Sequence, residues 1–193
     1  MSLWKAITGL ISDTVARTAR LDASTHTLQV INYNHHEIHA GSHYFVEDVA
    51  DLTIDDVFDV QWISPDSTKW SHFTFVLSCE SETEWYIYEG VSISVTGTAL
   101  TPRNNNRNSG NTSNVVMYSI SNTSEANANS DTPTAGATAI AHGIVGAGRD
   151  GGVGDRTREI VFEQATIYCL RAIANTAGYI NFLMKWYEHT DKD

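Results

Sequence analysis

The sequence predicts an all-β fold: an antiparallel β-sandwich, with a jelly roll as its preferred form and a short N-terminal arm or helix ahead of it. Three observations predict it. From residue 26 onward apolar residues recur with period two, the period at which successive side chains leave opposite faces of a strand. Loops rich in Asn, Ser, Thr, Asp and Gly separate the alternating runs, and no long amphipathic helix intervenes. The 193 residues include five Trp, eight Tyr and six Phe, enough apolar bulk for one domain with a packed core.

Taken in order, residues 1–24 read as the arm and residues 25–193 as the sandwich. Leu3, Trp4, Ile7, Leu10, Ile11 and Val15 recur at three- and four-residue steps, a helical stripe that either folds back on its own domain or docks on a neighbour. "TIDDVFDVQWI" (53–63) aligns Ile54, Phe58, Val60 and Trp62 on one strand face. "KWSHFTFVLSC" (69–79) does the same with Phe73, Phe75, Leu77 and Cys79, and "VSISV" (91–95) with Val91, Ile93 and Val95. "TIYCLRAI" (166–173) is apolar on both faces, as a central strand must be. "YINFLMKWYEH" (179–189) places Ile180, Phe182, Met184 and Trp186 together. The pattern amounts to roughly eight to ten strands. Three long biased loops interrupt it. Residues 101–114 carry six Asn, residues 121–138 offer little to bury, and residues 143–156 carry six Gly; such loops are expected to be mobile or functional.

Charge excludes some functions. Twelve Lys and Arg face twenty-three Asp and Glu, a formal net charge of −11. A surface of that sign, without any cationic run, does not suit a phosphate backbone or an anionic membrane. No stretch has the apolar length of a transmembrane helix, and the interrupted N-terminal run does not read as a signal peptide. Cys79 and Cys169 are the only cysteines; they read as small apolar residues buried in strands rather than as a disulfide framework.

The densest polar string is "HHEIHAGSHYF" (35–45), with His35, His36, His39 and His43. A zinc-protease helix needs His-Glu-x-x-His, and here the second His comes one position early. On a helix, His35 and His39, or His39 and His43, have ligand spacing. However, Gly41 and Ser42 interrupt the run and "HYFV" beyond reads as strand. On a strand, residues four apart lie about 13 Å apart at about 3.3 Å per residue, too far for one ion. His35, His39 and His43 are therefore expected as a row of hydrogen-bonding groups on one strand face, at a packing or subunit contact, with no metal and no cofactor. Because imidazole titrates near pH 6.5, such a contact would be acid-sensitive. "GAGRDG" (146–151) matches a dinucleotide fingerprint in spacing, but neither a following helix nor a βαβ unit accompanies it. It reads as a flexible glycine loop. No nucleophile motif is present, and the carboxylate pairs Glu47-Asp48 and Asp55-Asp56 read as solvated edges.

"HHEIHAGSHYFVED", "NNNRNSGNTS" and "MKWYEH" together resemble a family of small structural proteins of tailed-bacteriophage virions, the capsid decoration or cement proteins. The resemblance spans residues 20–189. It implies a compact β domain, a homotrimer, that binds the major capsid protein lattice on the exterior of the virion after synthesis in the host cytoplasm. It implies no enzymatic activity, no catalytic residue and no cofactor. Within that reading Trp4, Ile7, Leu10 and Ile11 are expected to anchor the arm, His35, His39 and His43 to serve subunit or capsid contact, and Arg103 and Arg107 to pair with the lattice. A tail, baseplate or fibre component and a glycan-binding adsorption module are the alternatives.

Overall fold

The computed structural model describes residues 33–93, 95–122, 137–153 and 158–190. One helix, α1 (Tyr33–Ala40), precedes twelve strands among these residues: β1 (His43–Leu52), β2 (Val57–Ile63), β3 (Trp70–Cys79), β4 (Thr83–Glu89), β5 (Thr98–Leu100), β6 (Arg103–Asn104), β7 (Val116–Asn122), β8 (Thr138–Val145), β9 (Arg149–Val153), β10 (Ile160–Val161), β11 (Ile167–Ala174) and β12 (Gly178–His189). They form two six-stranded antiparallel sheets. One runs β10-β3-β12-β1-β6, with β9 also pairing β3; the other runs β5-β7-β2-β11-β4-β8.

The ladders nest from the outside in. β1 pairs with β12, β2 with β11, β3 with β9 and β10, and β4 with β8. The pairs alternate between the two sheets. A long antiparallel hairpin wrapped on itself in this way is a jelly roll, so the expected fold class holds. β5, β6 and β7 fall between β4 and β8 in the chain and extend the other edges: β7 and β5 add to β2, and β6 adds to β1.

Alternation explains the core. Phe73, Phe75, Leu77 and Cys79 of β3 and Ile180, Phe182, Met184 and Trp186 of β12 all point into the sandwich and are buried. Trp62 meets them from the second sheet. Its ring stacks on Tyr168 at 5.7 Å and contacts Phe162 at 5.2 Å and Phe73 at 6.1 Å. β11 is central, between β2 and β4, and almost wholly buried, as its two apolar faces require. Cys79 and Cys169 are buried free thiols in β3 and β11.

Several expectations are corrected. "VSISV" (91–95) forms no regular strand among its described residues. The amides of Gly90 and Val91 both donate to the Ile167 carbonyl, at 2.9 and 3.2 Å, which ends the β4 ladder, and Ile93 is exposed. Ile54 is also exposed. It lies in a turn closed by Asp56, whose carboxylate accepts from the Thr53 amide at 2.7 Å and hydroxyl at 2.9 Å. Asp56 is therefore buried rather than a solvated edge, and Asp48 accepts a hydrogen bond from Ser119. The glycine-rich stretch is no free loop in its described part. Gly151 and Gly152 pair with Leu77 and Val76 inside β9. Gly152 has φ +111°, and a Cβ there would fall 2.7 Å from the Phe75 carbonyl oxygen, so this pairing needs glycine. Residues 123–136 of the second biased loop, and the arm with Trp4, Ile7, Leu10 and Ile11, lie outside the described residues.

Candidate interaction surface

The histidine string divides into two elements. Residues 33–40 are helical and the strand begins at His43, so His35, His39 and His43 do not form a row on one strand face. Gly41 and Ser42 cap the helix instead of excluding it. Gly41 adopts φ +72°. Its amide donates to the Ile38 carbonyl at 3.1 Å, and the Ser42 amide donates to the Glu37 carbonyl at 3.0 Å, the paired bonds of a Schellman ending.

The asparagine-rich string completes this cap. The last-turn carbonyls of a helix have no partner within it. Here Asn104 Nδ2 and Asn111 Nδ2 donate to the Gly41 carbonyl at 2.9 and 3.1 Å, and Asn106 Nδ2 donates to the His39 carbonyl at 3.2 Å. A Cβ on Gly41 would come 2.3 Å from Ser109 Oγ, so loop and helix end fit closely. The loop also holds its own shape. Asn104 Oδ1 accepts from the Asn106 amide at 2.8 Å, Asn106 Oδ1 from the Asn108 amide at 3.1 Å, and Ser109 Oγ from the Asn111 amide at 3.2 Å. Side chains that imitate turn backbone in this way are why Asn and Ser crowd such loops.

The third string closes the unit. β12 lies beside β1 with His43 opposite Tyr187, and β6 lies on the other side with Asn104 opposite Tyr44. The Glu188 amide donates to the Ser42 carbonyl at 3.0 Å. The buried Glu188 carboxylate accepts from Trp186 Nε1 at 3.1 Å and from Ser113. The three sequence strings, far apart in the chain, thus meet at one end of the first sheet.

The unit concentrates nitrogen bases on an acidic protein. His35 and His39 are exposed on α1, with their Nε2 atoms 2.9 Å apart. His36 Nδ1 lies 3.1 Å from Glu37 Oε1. Burial raises the Glu37 pKa, but hydrogen bonds from Ser42 and His36 and the charges of His36 and His189 outweigh it and hold the carboxyl below its ordinary value. Arg103 and Arg107 are exposed and line one open cleft of about 560 Å³ with Phe45, Pro102, Ser109 and Asn111. Among the described residues neither guanidinium has a carboxylate partner.

Sequence reasoning missed a second network. His72 Nδ1 lies 3.1 Å from Glu159 Oε1, which also accepts from the Tyr187 hydroxyl at 2.9 Å. His72 Nε2 lies 2.9 Å from His189 Nε2, and the His72 ring stacks on Tyr187 at 4.6 Å. A carboxylate oxygen accepts, so His72 Nδ1 donates to Glu159. In the neutral ring His72 Nε2 is then the acceptor and His189 Nε2 the donor. The only signal for this in sequence is that His72, Tyr187 and His189 occupy the outward positions of β3 and β12.

His43, a predicted contact residue, is buried at the start of β1, and its Nδ1 has no hydrogen-bond partner among the described residues. Burial and the nearby Lys185 charge hold its pKa below 6.5, against weaker opposing effects of Asn105 and Glu37. The unfolded chain therefore binds more protons there than the folded one, and the contribution of His43 to stability is present above pH 6.5 and falls as pH drops below it. His43→Gln is expected to flatten the acid limb of the stability profile below about pH 6.5, measured by urea denaturation at each pH. An unchanged slope would show that other groups set that limb.

A second cleft, of about 570 Å³, lies between Trp70, Glu89, Phe162, Glu163 and Gln164. Two of these residues are tied together by Tyr168, whose hydroxyl donates to Glu89 Oε2 and accepts from the Glu163 amide, both at 2.8 Å. Burial and the Glu89 carboxylate push the pKa of that hydroxyl far up, so it stays protonated. Among the described residues no three His, Cys, Asp or Glu side chains gather as ligands for one metal ion, and no helix is long and apolar enough to cross a membrane. No family model, no curated protein and no solved structure matches the chain.

Proposed function

We propose that this protein is a non-enzymatic structural protein of a tailed-bacteriophage virion, a homotrimer that decorates or cements the capsid by binding the major capsid protein lattice. One observation carries the reading: the three strings that resemble the decoration proteins, scattered over the chain, assemble into one surface at a single end of a jelly roll. The chemistry of that surface supports it. Arg103 and Arg107 offer two exposed guanidiniums in one cleft, neither with a carboxylate partner among the described residues, suited to carboxylates on a partner. The hydrogen-bonded asparagine loop holds them without depending on the partner. The net charge of −11 keeps such a module off packaged DNA.

The test mixes purified protein with undecorated heads and follows co-sedimentation. Saturable binding is expected, with the Arg103→Glu/Arg107→Glu double variant losing more than about tenfold in affinity, since each charge-assisted contact is worth about 1.5–3 kcal/mol. Absence of saturable binding to heads would remove the reading. Labelled protein found on tails or baseplates would move it to the other structural position.

The second cleft favours one competing reading, a glycan-binding adsorption module. Trp70 supplies an aromatic surface, and Glu89, Glu163 and Gln164 supply hydrogen-bonding groups around it. Saturable glycan-array binding that is lost in Trp70→Ala would select this reading over the capsid one.

A further inference from the structure

We propose that His35 and His39 form a surface site for a divalent transition-metal ion of the Cu²⁺ or Ni²⁺ type. The sequence argued against a metal because it placed these residues on a strand, about 13 Å apart. The structure places them on α1, one turn apart, with Nε2 to Nε2 at 2.9 Å and ring centroids at 4.6 Å. Two imidazole nitrogens at about 2.0–2.1 Å from one ion stand about 2.9 Å apart across a right angle and about 3.3 Å apart across a tetrahedral one. The observed separation is that of cis positions in a tetragonal site, the geometry Cu²⁺ and Ni²⁺ prefer.

The same distance also suits an N–H···N hydrogen bond, which is the metal-free form of the pair. The contrast with His72 and His189 separates the two cases. There Glu159 orders the protons, so a hydrogen bond accounts for the 2.9 Å contact. Among the described residues no carboxylate orders the tautomers of His35 and His39, and both residues are exposed. An exposed bond between two side chains contributes little against water, whereas once the donor ring carries its proton on Nδ1 both Nε2 lone pairs are free for one ion. The helix is ready for it: Gly41 caps it, and Asn106 pins the His39 carbonyl. Two protein ligands leave the remaining coordination positions to water or to groups on another molecule. The site is independent of capsid attachment.

The test titrates tag-free full-length protein with CuCl₂ and NiCl₂ by calorimetry and records the electron paramagnetic resonance spectrum of the copper form. One ion per chain and a nitrogen hyperfine pattern from two imidazoles are expected. Even outer-shell partners of a metal cost about 10–100-fold when removed, so His35→Gln and His39→Gln should each weaken binding at least about tenfold. His72→Gln and His142→Gln should leave it unchanged. Affinity should fall on acidification, because protons compete with the ion for the ligand nitrogens. Circular dichroism of the two glutamine variants guards against loss of fold. Wild-type affinity in the His35→Gln/His39→Gln double variant, or loss of binding in His72→Gln alone, overturns the proposal.

Discussion

Asp59→Ala is expected to lower the stability of the domain by about 3–5 kcal/mol. Asp59 sits in β2 directly opposite Arg171 of β11. Arg171 Nε donates to Asp59 Oδ1 and Nη2 to Oδ2, both at 2.9 Å, with side-chain exposures of 2% and 0%. The pair is bidentate and nearly dry. Alanine removes the anion and leaves a guanidinium that cannot shed its proton, so the whole desolvation cost remains. The converse variant behaves differently. Arg171→Met leaves a buried carboxyl that can neutralise by taking up a proton, so its deficit should be smaller at pH 5 than at pH 8. Converting both residues to apolar ones of similar volume should restore most of the loss, because a buried ion pair and a packed apolar pair are often close in energy. Urea unfolding followed by tryptophan fluorescence measures all three. An Asp59→Ala deficit under about 1 kcal/mol would mean that water reaches Arg171 and the pair is not structural.

Trp62→Ala should cost a similar amount, about 3–5 kcal/mol, through the cavity it leaves. The Trp62 side chain is fully buried, and its ring lies among Phe73, Phe162 and Tyr168 from both sheets. Its removal takes the support from Tyr168, whose hydroxyl ties Glu89 to the Glu163 amide, so the second cleft should loosen as well. Trp62→Phe separates volume from polarity. The buried Trp62 Nε1 has no hydrogen-bond partner among the described residues, and losing such a donor offsets part of the lost area. That variant is expected to lose less than half of what alanine loses, read as the shift in melting temperature. Equal losses in the two variants would show that the indole nitrogen has no bearing on stability.

Legibility followed the physics of each segment. β3 and β12 were plain in the sequence, because Phe73, Phe75, Leu77 and Cys79, and Ile180, Phe182, Met184 and Trp186, alternate with polar residues along a half-buried sheet. "VSISV" alternates as well, yet alternation cannot register that Gly90 and Val91 spend their amides on the Ile167 carbonyl. The histidine string is opaque for a related reason. Gly41 and Ser42 read as interrupting a helix that would carry the histidines, but glycine followed by a polar residue also ends a helix. The partners that make it a cap, Asn104, Asn106 and Asn111, are some sixty to seventy residues away. Of the predicted contact residues, His35, His39, Arg103 and Arg107 lie on the exposed side of one unit, whereas His43 is buried.

The sequence by itself determined the all-β class, the inward faces of the long strands, the burial of both cysteines and the acidic balance. Each of these follows from side-chain chemistry and a local repeat of two. Only the tertiary structure decided that the strands nest as a jelly roll, that Asp59 meets Arg171, that three distant strings share one end of a sheet, and that His35 and His39 converge. Those facts depend on which segments become neighbours across long stretches of chain. Such closures are set by packing of the whole core and by hydrogen bonds between remote groups, and no short window of residues contains them.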